Sequence, residues 1–413
     1  MTENLKRNLL QQIQEGDIWY CPRLFDHIYT NVDGDYAVCC IGGPTWVSSA
    51  EVTPTEWYTS DELNDLRYHM LTKYEKKKYS EIMWKHCKRC IKQERDYGES
   101  ERTHFIKGLD IEKPVLNQTI QFVNDGEYKF TERLLIVQVR IFGNQCNLDC
   151  FMCHPRNSST RTSQAKKYGY ADMLDFDPIL QDKKLTYDAT IENLLELAPY
   201  IQTFFIQGGE PLVMKKQYEF MDALIAVDQA RRINLECNTN ATKFYHKGHN
   251  ILNYIRAFKH TYMNISLDGV GKYNDYIRRR SNWNEIEENV LKLRDVQKKC
   301  SISVFSTVSL LSILRFHELQ KWCKDNEFRQ SIFIIDDPKE LHPCHLPERI
   351  KNSLIPKYED YPVIRRALEM EGNEEYFNKA MNYIELTDRA YNYAMDVQDL
   401  YPELDPEFYG EWK

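Results

Sequence analysis

An α/β fold with a parallel sheet, open or curled toward a barrel, is predicted by three observations on this 413-residue chain. From Leu134 onward, short apolar β-prone runs alternate six times with amphipathic stretches. Strands covered on both faces read as continuous apolar runs, and the helices covering them as stripes of period 3.6. The segments before Leu134 and after Asp337 lack this alternation and read as additions to a central sheet.

The first element group, residues 1–110, reads as a small α+β unit. In HIYTNVDGDYAVCC, Asp33-Gly34 separates two β-prone runs, a hairpin signal. Ser60 to Tyr79 has helical spacing, with Leu63, Leu66, Met70 and Leu71 on one side. A polar stretch, residues 111–132, reads as a linker. In residues 133–340 the expected strands are LLIVQVRIF, TFFIQ, INLECN, MNISL, ISVFSTV and SIFII. The helices between them are IENLLELAPYI, YEFMDALIAVDQA, ILNYIRAF, IEENVLKLRDVQ and FHELQKWCKDN. Serial β/α units imply right-handed crossovers, with ligands at the carboxyl ends of the strands. Residues 341–413 read as a helical, acidic extension.

Composition narrows the function classes. Acidic residues number 62 against 54 basic, a net charge of −8, which argues against a surface built to wrap nucleic acid. The N-terminus has no signal-peptide core, and the most apolar stretch, Ser301 to Phe316, is broken by five serines, so a cytoplasmic protein with no membrane span is expected. In that compartment clustered cysteines hold metal more often than they form disulfides. Of the 12 cysteines, eight fall in two groups: Cys21, Cys39, Cys40, Cys87 and Cys90, then Cys146, Cys150 and Cys153.

The second group is a C-x3-C-x2-C run directly after the first core strand. A [4Fe–4S] cube normally takes four cysteines, so three suggest a coordination position left open, as in catalytic metal sites. The competing reading is a zinc knuckle with His154, which would require two adjacent residues on one tetrahedral ion. Gln207-Gly208-Gly209-Glu210-Pro211 follows the second strand, and glycines there permit close approach of backbone to a ligand. Asn238-Thr239-Asn240-Ala241 ends the third strand, and Ser266 and Asp268 share one side of the fourth strand's end.

This triplet, placed after the first strand of a six-fold β/α repeat, resembles the signature of the radical S-adenosylmethionine (radical SAM) superfamily. The resemblance covers roughly residues 20 to 340 and implies a partial (β/α)6 TIM-like barrel. It implies that Cys146, Cys150 and Cys153 hold a [4Fe–4S] cluster whose open iron chelates SAM. It further implies reductive SAM cleavage to methionine and a 5′-deoxyadenosyl radical, hydrogen abstraction from a substrate, and an external flavodoxin- or ferredoxin-type electron donor. Gly208, Gly209, Glu210, Asn240, Ser266, Asp268 and Arg278 become the expected SAM-binding residues. Arg278 matches the family's arginine position, while Arg279 and Arg280 read as a solvated helix face. Two positions depart from the pattern: Met152 stands where an aromatic is common, and Ser312 where an Asn is common, leaving Val308 as an apolar contact for adenine.

The N-terminal group, C-x12-G-x4-C with a downstream C-x2-C and Glu94, resembles the twitch, or half-SPASM, module, which implies an auxiliary [4Fe–4S] cluster on Cys21, Cys39, Cys87 and Cys90. Adjacent strand residues face opposite ways, so only one of Cys39 and Cys40 is expected as a ligand. A structural zinc site, in a non-catalytic metal-binding protein, is the alternative. The surrounding Lys76, Lys77, Lys78, Lys85, Lys88, Arg89, Lys92 and Arg95 read as solvated surface, and Cys237, Cys300 and Cys323 as packing residues. Cys344 has two readings, a loop residue or a hydrogen-atom donor. The expected substrate is a peptide or protein side chain, or a small metabolite.

Overall fold

The computed structural model describes residues 2–31, 34–43, 47–73, 78–140, 142–170, 173–174, 187–391 and 396–405. Asp33 of the expected hairpin turn, Lys76 and Lys77 lie outside them. The strands are β1 (His27–Thr30), β2 (Tyr36–Ala37), β3 (Leu135–Val139), β4 (Ile201–Ile206), β5 (Asn234–Thr239), β6 (Tyr245–His246), β7 (His249–Asn250), β8 (His260–Ser266), β9 (Cys300–Val308) and β10 (Arg329–Ile334). Eight form one sheet in the order β10-β9-β8-β5-β4-β3-β1-β2, and β6 and β7 form a separate small hairpin.

The six expected core strands are β3, β4, β5, β8, β9 and β10, all parallel to their neighbours. Their burial explains why they were legible: Leu135, Val137, Val139, Phe204, Ile206, Leu235, Cys237, Met263, Ile265, Val304 and Val308 are fully buried. Burying such side chains contributes about 1.5–3 kcal/mol each. The crossover helices Lys215–Ala226, Ile251–Ala257, Trp283–Lys292 and Phe316–Asp325 fall on the expected segments. The C-terminal extension is helical as expected, with Glu374–Tyr391 its longest helix.

Two features differ from the sequence reading. The N-terminal hairpin is present, with Tyr29 opposite Ala37, and β1 also pairs in parallel with β3, so the sheet continues from the core into the N-terminal segment. A buried hydrogen bond from His27 to the Gln138 side chain, 2.8 Å, crosses that junction. The stretch read as a polar linker contains a helix, Pro114–Asp125, whose Val115, Leu116, Ile120 and Phe122 are buried. Gln118 and Thr119 are buried on the same helix, and their hydrogen bonds to Lys129 O and Val115 O explain how polar residues occupy core positions. Among the described residues no helix is long and apolar enough to cross a membrane.

Candidate active site and auxiliary cysteine cavity

The C-x3-C-x2-C loop leaves the carboxyl end of β3 and is fixed by main-chain bonds to the loop after β8. Asp149 N donates to Arg279 O at 3.1 Å and Phe151 N to Ile277 O at 2.9 Å. Beneath it lies a charged network. Arg161 donates to Asp149 (3.3 Å), Phe151 O (3.0 Å) and Cys153 O (3.2 Å), and both members of its ion pair with Asp149 are fully buried. The C-terminal extension completes the support. Tyr383 donates to Phe151 O at 3.0 Å, and Asp388 accepts from Arg279 at 2.6 Å, Tyr276 at 2.7 Å and Val397 N at 3.1 Å. Arg279, expected on a solvated face, is therefore fully buried, while Arg280 is exposed as expected. Its partner Asp388 lies 109 residues downstream, a contact no local pattern signals.

Cys146, Cys150 and Cys153 are half-buried free thiols within electrostatic reach of one another. Desolvation pushes each up to about 12, so all three are protonated thiols in the metal-free chain. Arg278 stands beside Cys150 and Cys153 and pairs at 2.7 Å with fully buried Asp268. Burial disfavours the guanidinium's charge, but Asp268 and the thiols hold its pKa above the usual value. Asp268 also accepts from Thr307 N at 2.7 Å, so this carboxylate orients Arg278 and ties it to the end of β9. Arg278 Nε is buried with no hydrogen-bond partner among the described residues, as is Gln207 Nε2 at the start of the Gly-Gly-Glu turn.

That turn is pressed against the cysteine loop. Gly209 has φ +51°, and a Cβ on it would stand 2.2 Å from Gln145 O; Glu210 N donates to the same oxygen at 2.8 Å. The Glu210 carboxylate is spent inside the protein, accepting from Thr239 Oγ1 (2.6 Å), Asn240 N (2.7 Å) and Leu212 N (3.1 Å). Burial still pushes it up to about 7, against those three bonds. Asn240 donates to Asn147 within the cysteine loop at 3.1 Å, and Asn147 donates to Thr242. Ser266 is half-buried at the end of β8. Val308 and Ser312 are both buried, the latter hydrogen-bonded to Ser309 and Thr307 O.

The residues fit a [4Fe–4S] cluster and SAM by donor chemistry. Three thiols without disulfide partners supply one open-sided ligand set, and an unpartnered guanidinium nitrogen beside them suits a carboxylate. Among the described residues no three His, Cys, Asp or Glu side chains gather tightly enough for a lone ion. A cube bonds each thiolate to a different iron, so its ligands stand further apart than those around one ion.

The N-terminal group is built differently. Cys21 precedes β1, Cys39 follows β2, and Cys87 and Cys90 lie three apart on the Glu81–Tyr97 helix, hence on one face. All four line a single cavity with Trp19, Val38, Ile41 and Met70. Cys40 is exposed and does not line it, in keeping with the choice of Cys39. Burial pushes Cys21 up to about 12 and raises the other three. Two guanidiniums line the cavity among the described residues: half-buried Arg23, whose charge reaches Cys21, and buried Arg102 on the Ser100-capped helix, which stacks on Trp19 at 4.5 Å and is clamped by both oxygens of Glu94 at 2.8 and 2.7 Å. Glu94 also accepts from Trp19 and Ser100. Lys78, Lys85, Lys88, Arg89, Lys92 and Arg95 are exposed, as read from the sequence. Cys237, Cys300 and Cys323 are buried, and Cys344 is buried beside His345, its sulfur 3.5 Å from Nδ1.

Comparison with known proteins bears on the first site. Residues 141–311 match the Radical SAM superfamily. No curated protein matches the sequence. Among solved structures the chain is similar to native anSMEcpe with bound AdoMet, at 12% identity and a TM-score of 0.36, over 57% of this chain and 62% of that one. It is also similar to Streptococcus suis SuiB bound to S-adenosylmethionine, at 16% identity and a TM-score of 0.37, over 74% and 64%. SuiB bound to the precursor peptide SuiA matches at 17% identity and a TM-score of 0.37, over 67% and 59%. The chain thus spans between 59% and 64% of the length of these proteins. The matched residues 141–311 hold the cysteine triplet, the Gly-Gly-Glu turn and Arg278, and it is this part of the chain that is similar to the Radical SAM superfamily.

Proposed function

We propose that the protein is a cytoplasmic enzyme that cleaves SAM at Cys146, Cys150 and Cys153 and abstracts hydrogen from a peptide or protein side chain, or from a small metabolite. When bound, a [4Fe–4S] cluster supplies the electron that splits SAM to methionine and 5′-deoxyadenosyl radical. The observation that carries the reading is one arginine, Arg278, standing beside two of the three thiols with a buried nitrogen unpartnered among the described residues. Its planar fork suits the SAM carboxylate, and Asp268 keeps it charged and aimed. With the Glu210 side chain engaged within the fold, the turn's contribution to the SAM amino group falls to the backbone of Gly208 and Gly209. Asn240 and Ser266 flank the same strand ends. The chain's work is positioning and exclusion of solvent, which makes an indiscriminate oxidant selective.

The cavity lined by Cys21, Cys39, Cys87 and Cys90 would take an auxiliary [4Fe–4S] cluster. Four protein ligands leave no open iron, so its role is electron transfer, with Arg102 offsetting the negative charge of four thiolates. The external donor is a flavodoxin- or ferredoxin-type protein. Anaerobic reconstitution tests the whole reading: iron and sulfide for two clusters, and 5′-deoxyadenosine on adding SAM and dithionite, are expected. Stoichiometric zinc without SAM cleavage would overturn it.

A further inference from the structure

Strand geometry extends the site downward. Side chains two apart share a sheet face, so Glu236 and Asn238 of β5 lie on the face that carries Asn240, and Tyr262 and Asn264 of β8 on the face that carries Ser266. At about 3.3 Å per residue, each such step is about 7 Å of strand. A groove of about 640 Å³ opens on this face, lined by Glu236, Tyr262, Asn264, Ser303, Phe305 and Arg329, among others. Its floor is a built network. Both hydrogens of the Asn264 amide are used, one donated to Glu236 Oε1 at 3.0 Å and one to Asn238 Oδ1 at 2.8 Å.

Asn264 thus holds Glu236 in place without neutralising it. No ion pair to Glu236 exists among the described residues, and Arg329 stands three strands away, about 14 Å at the usual 4.8 Å spacing. Arg23 acts on it as a charge that lowers its pKa, without forming an ion pair among the described residues. Burial still raises the Glu236 pKa, against both the Asn264 hydrogen bond and the Arg23 charge, as for a carboxylate with no direct ion-pair partner. A half-buried acid of this kind, oriented by an amide and open to a groove, gains its missing partner from a ligand.

We propose that this groove is the substrate pocket, and that Glu236, held by Asn264, receives a cationic amine or guanidinium, as on a lysine or arginine side chain. The reacting carbon then lies one to two strand steps above, at the level of Asn240 and Ser266. The proposal rests on the radical SAM reading for the reaction, and on the groove alone for the recognition.

Titration of the full-length, anaerobically reconstituted protein with Nα-acetyl-lysine amide and with its neutral near-isostere Nα-acetyl-norleucine amide tests it. The lysine probe is expected to bind about tenfold tighter or more, the difference made by a charge-assisted hydrogen bond. Glu236→Gln should erase the difference, and Asn264→Ala should shrink it. Equal binding of the two probes by wild type, or binding of neither, overturns the proposal without reference to any variant's folding. So does a preference that survives Glu236→Gln. SAM cleavage by the same wild-type sample is read separately: a lysine preference without 5′-deoxyadenosine would sink the reaction assignment and leave the recognition site standing.

Discussion

The two cysteine groups solve the same problem, holding several thiols near one another, with opposite surroundings. Around Cys146, Cys150 and Cys153 the protein invests in buried charge: Asp149–Arg161, Asp268–Arg278 and Asp388–Arg279 stack beneath and beside the loop. Around Cys21, Cys39, Cys87 and Cys90 it supplies mainly apolar walls and two guanidiniums, Arg23 and Arg102, each paired with a carboxylate. Buried ion pairs add little net stability and fix geometry when complete. A site that must bind a zwitterion and aim it repeatedly needs fixed polar groups. A site that encloses its occupant needs only ligands and exclusion of water. On the function proposed above, the difference is the one expected between a centre that does chemistry and one that passes electrons.

Single cysteine substitutions should separate the sites most sharply. Cys150→Ala should abolish 5′-deoxyadenosine formation with dithionite as reductant, while Cys87→Ala should leave it within several-fold of wild type, assayed by chromatography after anaerobic reconstitution. Loss of cleavage in both would erase the distinction. Next in size are the ion pairs. Asp388→Ala strands Arg279 in the core and should cost about 3–5 kcal/mol, read as a lowered unfolding midpoint in urea. Asp388→Asn, which still accepts hydrogen bonds, should recover part of that. Glu94→Ala should cost less, because the Arg102 side chain keeps its stacking on Trp19 and its bond to Tyr20 O.

The glycines give a third comparison. A Cβ at Gly209 would meet Gln145 O at 2.2 Å, and one at Gly43 would meet Lys85 O at 2.4 Å, so each glycine lets a second loop touch the segment carrying a cysteine. Gly209→Ala should reduce SAM affinity by an order of magnitude or more in equilibrium binding. Gly43→Ala should lower iron retention at the N-terminal group and leave SAM affinity unchanged. The smallest signal is in protons. Because burial raises the pKa of the thiols in both groups, loading a cluster must displace protons, and apparent affinity for iron and sulfide rises with pH. Potentiometry on variants lacking one group or the other should find one more proton released at the N-terminal site, with four thiols, than at the core site, with three, the release from sulfide being the same for both.

Much of this was legible in the chain. The core strands declare themselves because alternate residues such as Leu135, Val137, Leu235, Cys237, Met263 and Ile265 are fully buried, which sets an apolar side chain at every second position, and the triplet declares itself because three cysteines within eight residues need no long-range contact. What stayed hidden depends on partners far apart in sequence. The four-residue run of β1 carries no sign that it pairs with β3, more than a hundred residues on. The Pro114–Asp125 helix reads as polar because Gln118 and Thr119 are core residues only by virtue of their hydrogen bonds. Arg279 reads as surface beside Arg280, and its burial rests on an ion pair with the distant Asp388 and on the rings of Phe151 and Tyr276.

The parallel pairing of β1 with β3 has a practical consequence for anyone dividing this protein. A cut placed between Asp125 and Leu134, where a detachable N-terminal cassette would be trimmed away, strips β1 from the sheet and leaves the backbone of Leu135–Val139 as a bare edge. An apolar strand with unpaired amides recruits other chains. The shortened core should therefore precipitate or self-associate rather than serve as a minimal catalyst, and fusion or display tags belong at loop positions that keep the ladder whole.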